Sequence, residues 1–279
     1  MSENAKHSRF FLLLLPLQLV VQRVLDMLDQ IGAVFLLLIE AMRWIIRSFT
    51  RRKVRLGKAA IVSQLVRVGV RSIFIISLVS GCVGLILVLQ MSPPLAEYGQ
   101  KDRVANITGV AILRELGPLI AAIVLTGFAG AAITAEIGTM VVGEEIEALE
   151  AHALNPIRFL VVPRVIATII SMTAIAVIAD VVAVLCGLLM GTVGIGIPVR
   201  TYIDNTLQQL KLVDFYTGIG KAMVFGLLIG VIACSNGLRV TGGAAGVGKA
   251  TTATVVQSIV SIIVADLIFT AVFYALKLV

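Results

Sequence analysis

The amino-acid sequence predicts an all-α polytopic membrane protein with about five transmembrane helices, preceded by an N-terminal helix at the membrane interface. Composition is the first observation: 59% of the 279 residues are hydrophobic, only 14% are charged, and the mean hydropathy is +1.04. The second is that residues 72–91 and 116–135 carry no charge at all. A helix needs about 20 apolar residues to cross a bilayer, so runs of this length indicate membrane spans rather than a soluble core.

The N-terminal part differs from the rest and suggests two regions, an interfacial or cytoplasmic segment at residues 1–60 and a transmembrane domain at residues 61–279. Twelve of the 23 Lys and Arg residues lie within residues 1–71. This excess places the N-terminus in the cytoplasm and accounts for much of the net charge of +7 without a nucleic-acid partner. The apolar run at residues 10–21 is too short to span and contains Pro16, so we expect residues 10–50 to lie at the interface.

The five spans follow in order. We expect the first at residues 72–91, ending at the Pro93-Pro94 pair, and the second at about 104–135. The third starts near Phe159 and continues past Asp180, with a glycine-rich tail that bends or leaves the membrane. Residues 200–214 are predicted as an outer loop. The last two spans are expected at about 215–238 and 251–276.

Between the second and third spans, residues 143–152 predict a short acidic helix. Ile146 and Leu149 are three positions apart and share one face of such a helix. Glutamates surround that face, at Glu144, Glu145, Glu147 and Glu150. A docking helix and a merely solvated connection both fit this pattern.

Four charged residues within or beside the spans are candidate functional groups. Asp180 and Asp266 are intramembrane carboxylates, which are costly in lipid and therefore functional candidates. They could form the dyad of an intramembrane aspartyl hydrolase, but their flanking sequences favour helix partners or a polar cavity instead. Arg114 and Glu115, near the outer end of the second span, could line an entrance for charged head groups or simply reach the interface.

Residues 242–252, GGAAGVGKATT, imitate a phosphate-binding loop, because Gly243, Gly248 and Lys249 fit the spacing G-x-x-x-x-G-K. Ala250 stands where magnesium binding needs Ser or Thr, and no strand precedes the motif. We therefore interpret it as a loop of small residues between two spans, and we expect neither a nucleotide nor another cofactor.

Two further patterns concern packing rather than chemistry. The three isolated cysteines show no metal-ligand spacing, so no metal is expected. The pairs Gly187/Gly191 and Gly226/Gly230 permit close helix packing, either within one subunit or between two.

Several segments of the sequence resemble the MlaE-like (YrbE-type) permeases, the membrane subunits of ABC transporters that work with MCE-domain proteins. The likeness covers about residues 60–276. The matching segments are ELGP at 115–118, GAAITAEIGTM at 130–140, IEAL at 146–149, NPIRFLVVPRVIA at 155–167 and GVGKATTATVV at 246–256.

The resemblance implies a homodimer that moves phospholipids or related lipids and is itself no enzyme, with ATP hydrolysed by a separate ATPase subunit. It further implies an MCE-domain lipid-binding partner on the opposite face and a bacterial inner membrane, or less favourably a plastid envelope. Residues 143–152 then correspond to the coupling helix, with Glu144, Glu145, Ile146, Glu147 and Leu149 as coupling residues. Arg114 and Glu115 become candidates for the mouth of the lipid cavity.

The chain also departs from the family pattern. Phe128 stands where an arginine is usual, and Ala153 where a glycine is usual. Asp is common at the positions of Glu147 and Asn155. A passive channel is a third reading of the sequence, and it would need neither an ATPase nor a docking helix.

Overall fold

The computed structural model describes residues 22, 25, 28–47 and 58–277. The apolar run at residues 10–21 and most of the basic stretch before the first span lie outside these residues. The described part of the chain contains α-helices, short 3₁₀ and π turns, and no β-strand. The helices are α1 (28–47), α2 (Lys58–Val68), α3 (Ile73–Glu97), α4 (Val104–Ala111), α5 (Gly117–Leu125), α6 (Ala131–Val142), α7 (Glu145–Ala151), α8 (Val162–Leu189), α9 (Val199–Gln209), α10 (Leu212–Leu238) and α11 (Gly243–Ala275).

Short turns join several of these helices into five continuous segments that are long and apolar enough to cross a membrane. We number them spans 1 to 5: Ala59–Glu97, Lys101–Val142, Ile157–Gly194, Leu212–Leu238 and Gly243–Ala275. The all-α class and the number of spans predicted from the sequence are confirmed.

Three predicted boundaries were wrong. Span 1 does not end at Pro93-Pro94 but continues to Glu97. Proline fits helical φ angles, and transmembrane helices tolerate it because neighbouring groups satisfy the backbone groups that it leaves free. Span 2 extends to Val142, beyond the predicted end at residue 135. The glycine-rich segment before residue 251 is the first part of α11, because glycine is tolerated within transmembrane helices.

The predicted outer loop at residues 200–214 is mostly the helix α9. It follows Pro198, a residue that favours a helix start. Tyr202 and Thr206, four positions apart, turn to the same side and are buried. The helix therefore packs against the body of the protein instead of forming a free loop.

Close contacts between spans 1, 3 and 4 form the centre of the molecule. A Cβ atom added to Gly84 of span 1 would lie 2.1 Å from the carbonyl oxygen of Ala183 in span 3. On span 4, a Cβ atom added to Gly226 would lie 2.8 Å from the carbonyl oxygen of Thr168. One added to Gly230 would lie 2.3 Å from the hydroxyl of Thr168. The Gly226/Gly230 pair therefore serves packing within one chain.

Gly187 and Gly191 also pack within the chain, against α9. An added Cβ at Gly191 would lie 2.3 Å from the ring of Tyr202, and one at Gly187 would lie 3.4 Å from its hydroxyl. The two glycines make room for this aromatic side chain at the end of span 3.

Helix α1 and span 5 differ in how much of their surface packs against the rest of the chain. Helix α1 packs on the body of the protein through Leu37 and Ala41, which belong to the hydrophobic core. In span 5, by contrast, only 11% of the most apolar 18-residue stretch is buried, compared with 61% of the corresponding stretch in span 4. Span 5 therefore presents most of its surface to the outside of the single chain.

Candidate functional site

Helix α7, Glu145–Ala151, lies between spans 2 and 3, where the sequence predicted a short acidic helix. Ile146 and Leu149 are half-buried, and Ile146 packs against the hydrophobic core. All the glutamates of the segment are exposed: Glu144, Glu145, Glu147 and Glu150. The segment thus has an apolar face against the protein and an acidic face away from it.

Both ends of α7 are held in fixed backbone conformations. Glu144, which precedes the helix, has a left-handed φ of 58°. At the other end the amides of Ala153 and Leu154 donate to the carbonyls of Glu150 and Leu149, at 2.8 and 3.0 Å. This is the Schellman arrangement, in which the residue after the cap is left-handed and usually glycine. Ala153 fills that position with a φ of 58°.

Arg114 and Glu115 lie in a π turn, Ile112–Leu116, within span 2. They point to different partners. The Nε of Arg114 donates to Oδ1 of Asp214 at 2.5 Å, and Asp214 is buried at the start of span 4. The backbone N–H of Lys211 donates to the other oxygen of Asp214 at 2.9 Å. Arg114 is therefore held by a buried carboxylate.

Glu115 belongs to a cluster of charges that joins spans 2, 4 and 5. Lys221 of span 4 is only 1% exposed. Its Nζ lies 2.6 Å from Oε2 of Glu115 and 2.9 Å from Oδ1 of Asp266. Thr270 of span 5 accepts from Lys221 at 3.0 Å and donates to Glu115 at 2.9 Å. In the Lys221 cluster, Glu115–Lys221–Asp266–Thr270, groups from spans 2 and 5 thus satisfy one buried cation of span 4.

Lys221 and Asp214 were missed from the sequence. A signal was present, since an ionisable residue inside an apolar span is a functional candidate by default. Lys221 stands alone among apolar residues in the predicted fourth span, as Asp180 does in the third.

The two intramembrane aspartates lie in different surroundings. Asp266 is the partner of Lys221. Asp180 is buried in span 3 against Gly117, where an added Cβ would lie 1.6 Å from its Oδ1. That oxygen has no hydrogen-bond partner among the described residues. No hydrogen bond in the described part of the chain joins Asp180 to Asp266, so the geometry gives no support to a catalytic dyad.

A third group of charges lies near the end of span 2 that carries α7. Glu136 accepts from Arg67 of α2 at 2.8 Å and from Arg164 of span 3 at 3.1 Å. Arg164 is buried and also donates to the carbonyl of Leu160. This group ties α2 and the start of span 3 to the last helix of span 2.

On the same side, polar side chains connect spans 2, 4 and 5 to α1. Asn236 donates to Thr254 at 3.0 Å and to Gln257 at 2.8 Å. Thr254 in turn contacts Thr134 of span 2, and Gln257 donates to Gln30 of α1 at 2.8 Å. Buried polar groups in a membrane domain are satisfied in this way by neighbouring helices.

The residues of the phosphate-loop-like motif lie on helix α11. Gly243, Gly248 and Lys249 all belong to its first two turns, so their backbone N–H groups are not arranged as a loop around a phosphate. Within the described residues, no group of three or more His, Cys, Asp or Glu side chains is arranged to hold a metal ion. Phe128 is 40% exposed within a π turn of span 2.

Comparison with known proteins identifies the family. A sequence model described as Permease MlaE matches residues 61–272. A protein of Rickettsia typhi named probable ABC transporter permease is 37% identical over 210 residues, which cover 75% of this chain and 81% of the relative. A protein of Synechocystis with the same kind of name is 33% identical over 212 residues, covering 76% of this chain and 81% of the relative.

A plant protein matches over a similar length. The chloroplastic protein TRIGALACTOSYLDIACYLGLYCEROL 1 of Arabidopsis thaliana is 34% identical over 211 residues, covering 76% of this chain and 60% of the relative. The match at residues 61–272 includes all five spans, except for the first residues of span 1 and the last residues of span 5. The chain therefore belongs to the MlaE permease family and is an integral membrane subunit of an ABC transporter, not an enzyme.

Proposed function

We propose that this permease moves phospholipids or related lipids between an inner membrane and the outer envelope, driven by a separate ATPase subunit. The observation that carries the proposal is the form of α7 within an MlaE permease: exposed glutamates on one face and half-buried Ile146 and Leu149 on the other. The name of the Arabidopsis relative, which contains that of the glycolipid trigalactosyldiacylglycerol, supports a lipid as substrate.

In this proposal α7 is the coupling helix. The acidic face, Glu144, Glu145 and Glu147, contacts the ATPase in the cytoplasm, while Ile146 and Leu149 transmit its movement to the membrane domain. Glu136, on the helix that leads into α7, forms ion pairs with Arg67 and Arg164. They would carry the movement into α2 and span 3 together, because separating a partly buried ion pair is costly.

Arg114 and Glu115 are proposed as the mouth of the lipid cavity. Arg114 is bound through its Nε to Asp214, which leaves its terminal nitrogens for an anionic head group. Glu115 is bound to Lys221 and Thr270, so its position depends on the positions of spans 4 and 5. Asp180 and Asp266 act as intramembrane polar groups rather than as catalysts.

The complete transporter is proposed to contain two copies of this chain, the ATPase, and an MCE-domain lipid-binding protein on the face opposite α7. ATP binding and hydrolysis would move α7, and rigid-body movement of the spans would open or close a lipid cavity between the two copies. Residues 1–60 would form an interfacial segment and residues 61–279 the permease domain. A bacterial inner membrane is the proposed location, with a plastid envelope as the alternative.

The proposal is tested by gentle purification of the tagged protein from its own host, followed by identification of bound proteins and lipids. We expect an ATPase, an MCE-domain protein and phospholipid with the wild-type chain. The variant Glu144→Gln/Glu145→Gln/Glu147→Gln should lose the ATPase and keep the lipid. The control Arg200→Gln/Asp204→Asn, on exposed α9 residues, should keep both.

Recovery of the folded wild-type chain without an ATPase, under conditions that preserve other ABC complexes, would contradict the proposal and favour the passive channel. Retention of the ATPase by the triple glutamine variant would remove α7 as the docking element.

A further inference from the structure

The surface around Trp44 combines a tryptophan, three arginines and exposed apolar side chains. Trp44 lies near the end of α1, and the guanidinium carbon of Arg47 is 5.5 Å from its ring centroid. Arg158, at the start of span 3, approaches the same ring at 5.7 Å. Arg43, one residue before Trp44, lines a groove of about 480 Å³ with Trp44 and Arg47. We call these four residues the Trp44 cluster.

The cluster carries an excess of positive charge. None of its three arginines forms an ion pair with another described residue. Glu40 is the one carboxylate among the residues that line the groove. Three guanidinium groups beside a single carboxylate leave a site that suits an anion, and arginine binds phosphate through paired N–H groups.

The neighbouring surface of α1 suits hydrocarbon. Leu37 and Ala41 pack into the core of the protein, but other large apolar side chains of the same helix are exposed. They include Phe35 at 59% and Leu36 at 68%. A helix with one apolar face against protein, a second apolar face uncovered and arginines at one end fits the boundary between acyl chains and head groups.

From this geometry we propose that the Trp44 cluster is a binding site for an anionic phospholipid of the leaflet on the α7 side of the membrane. The lipid phosphate binds Arg43 and Arg47, and the acyl chains cover the exposed apolar side chains of α1. The ring of Trp44 lies between the phosphate and the acyl chains, and its contacts with Arg47 and Arg158 fix its position. A cytosolic protein partner would match the charges, but it would leave the apolar side chains unexplained.

The site differs from the proposed lipid cavity, because its residues belong to α1 and the start of span 3 rather than to spans 2, 4 and 5. It also lies close to α7 along the chain. The backbone N–H of Arg158 donates to the side chain of Asn155, which directly follows the segment that ends α7. A lipid bound here would hold α1 against the start of span 3. The inference does not depend on lipid being the transported substrate.

The chain supplies its own probe, since Trp44 is its single tryptophan. The full-length protein is placed in two preparations of phosphatidylcholine nanodiscs. One contains a small fraction of brominated phosphatidylglycerol, and the other contains the same fraction of brominated phosphatidylcholine. Bromine quenches tryptophan fluorescence on contact. A cation near an anionic surface favours the anionic lipid about five-fold, so brominated phosphatidylglycerol should quench Trp44 several times more strongly than its neutral counterpart.

The variant Arg43→Gln/Arg47→Gln should lose this difference, and Arg43→Lys/Arg47→Lys should keep most of it. Arg200→Gln, which removes a charge that is 95% exposed on α9, is the matched control and should behave as wild type. Equal quenching by the two lipids in the wild-type protein overturns the proposal. So does an unchanged preference in the glutamine variant, or an equal loss in the Arg200 control.

Discussion

The burial of Lys221 between two carboxylates determines what its removal costs. In Lys221→Met, Glu115 and Asp266 lose their shared cation and face each other within the spans. Removing one partner of a buried ion pair typically costs about 3–5 kcal/mol, and because Glu115 is partly exposed we expect a loss of about 3 kcal/mol. The free energy of unfolding, measured by denaturant titration in mixed micelles, checks this value.

Two further variants show whether the loss of stability comes from the Lys221 cluster. Lys249→Met removes an exposed lysine from span 5 and should change the stability by less than about 0.5 kcal/mol. Lys221→Met/Asp266→Leu should recover part of the loss, because the repulsion between the two carboxylates disappears. Equal stabilities for Lys221→Met and Lys249→Met would show that the cluster does not hold the spans together.

Ala153 is a second residue with a predictable cost. Its φ of 58° is strained for any residue with a Cβ atom, and the corresponding position of a Schellman motif is usually glycine. We expect Ala153→Gly to stabilise the protein by about 0.5–1 kcal/mol, measured as a rise in melting temperature in detergent. Ala151→Gly, within α7 itself, should lower the stability by about 1 kcal/mol because glycine is a poor helix former. A fall in melting temperature for Ala153→Gly would contradict the assignment of strain to this position.

At the level of helices, the contact between spans 1 and 3 permits a sharp comparison of two glycines. Gly84→Ala would place a methyl group 2.1 Å from the carbonyl oxygen of Ala183, so the spans must separate. We expect a loss of about 1–3 kcal/mol or more, as in other overpacked cores. Gly220→Ala meets nothing within 4 Å and should stabilise span 4 slightly. Thermal unfolding of both variants in one detergent checks the difference, and similar melting temperatures would contradict the close contact.

The helices also show where prediction from the sequence succeeds and where it stops. Long uncharged runs gave the five spans, because crossing a bilayer leaves a strong length signal. Helix α9 was predicted as a loop, since a polar helix of 11 residues outside the membrane leaves no such signal. The glycines at the start of α11 were misread in the same way, because local propensity does not report the helices around them.

The functional residues divide in a similar manner. The acidic face of α7 follows from helical spacing alone. The partners of Arg114 and Glu115 do not, because they are brought together only when span 2 packs against spans 4 and 5. Sequence separations of about 100 residues between partners carry no periodic signal that could have revealed them.

For the molecule as a whole, five spans place α7 and the end of span 5 on opposite sides of the membrane. In a background with Cys82, Cys186 and Cys234 replaced by alanine, we expect Lys277→Cys to react with a membrane-impermeant maleimide in intact spheroplasts. Glu147→Cys should react only after the membrane is permeabilised. Reaction of both residues from one side would contradict five crossings, and the reverse pattern would place α7 outside.

The glycine contacts described above also limit the internal motions available to the transporter. Spans 1, 3 and 4 touch almost backbone to backbone, at Gly84 and at the Gly226/Gly230 pair, and such surfaces cannot slide without clashes. These three spans therefore move as a single rigid body. Span 2 belongs to the same body, because a Cβ atom added to Gly218 of span 4 would lie 2.3 Å from the carbonyl oxygen of Leu113. The remaining freedom lies between these four spans and span 5, which contacts them through side chains such as Thr254, Asp266 and Thr270. Any cycle of conformations is therefore mainly a rotation of span 5 about this body, with the Lys221 cluster at the joint.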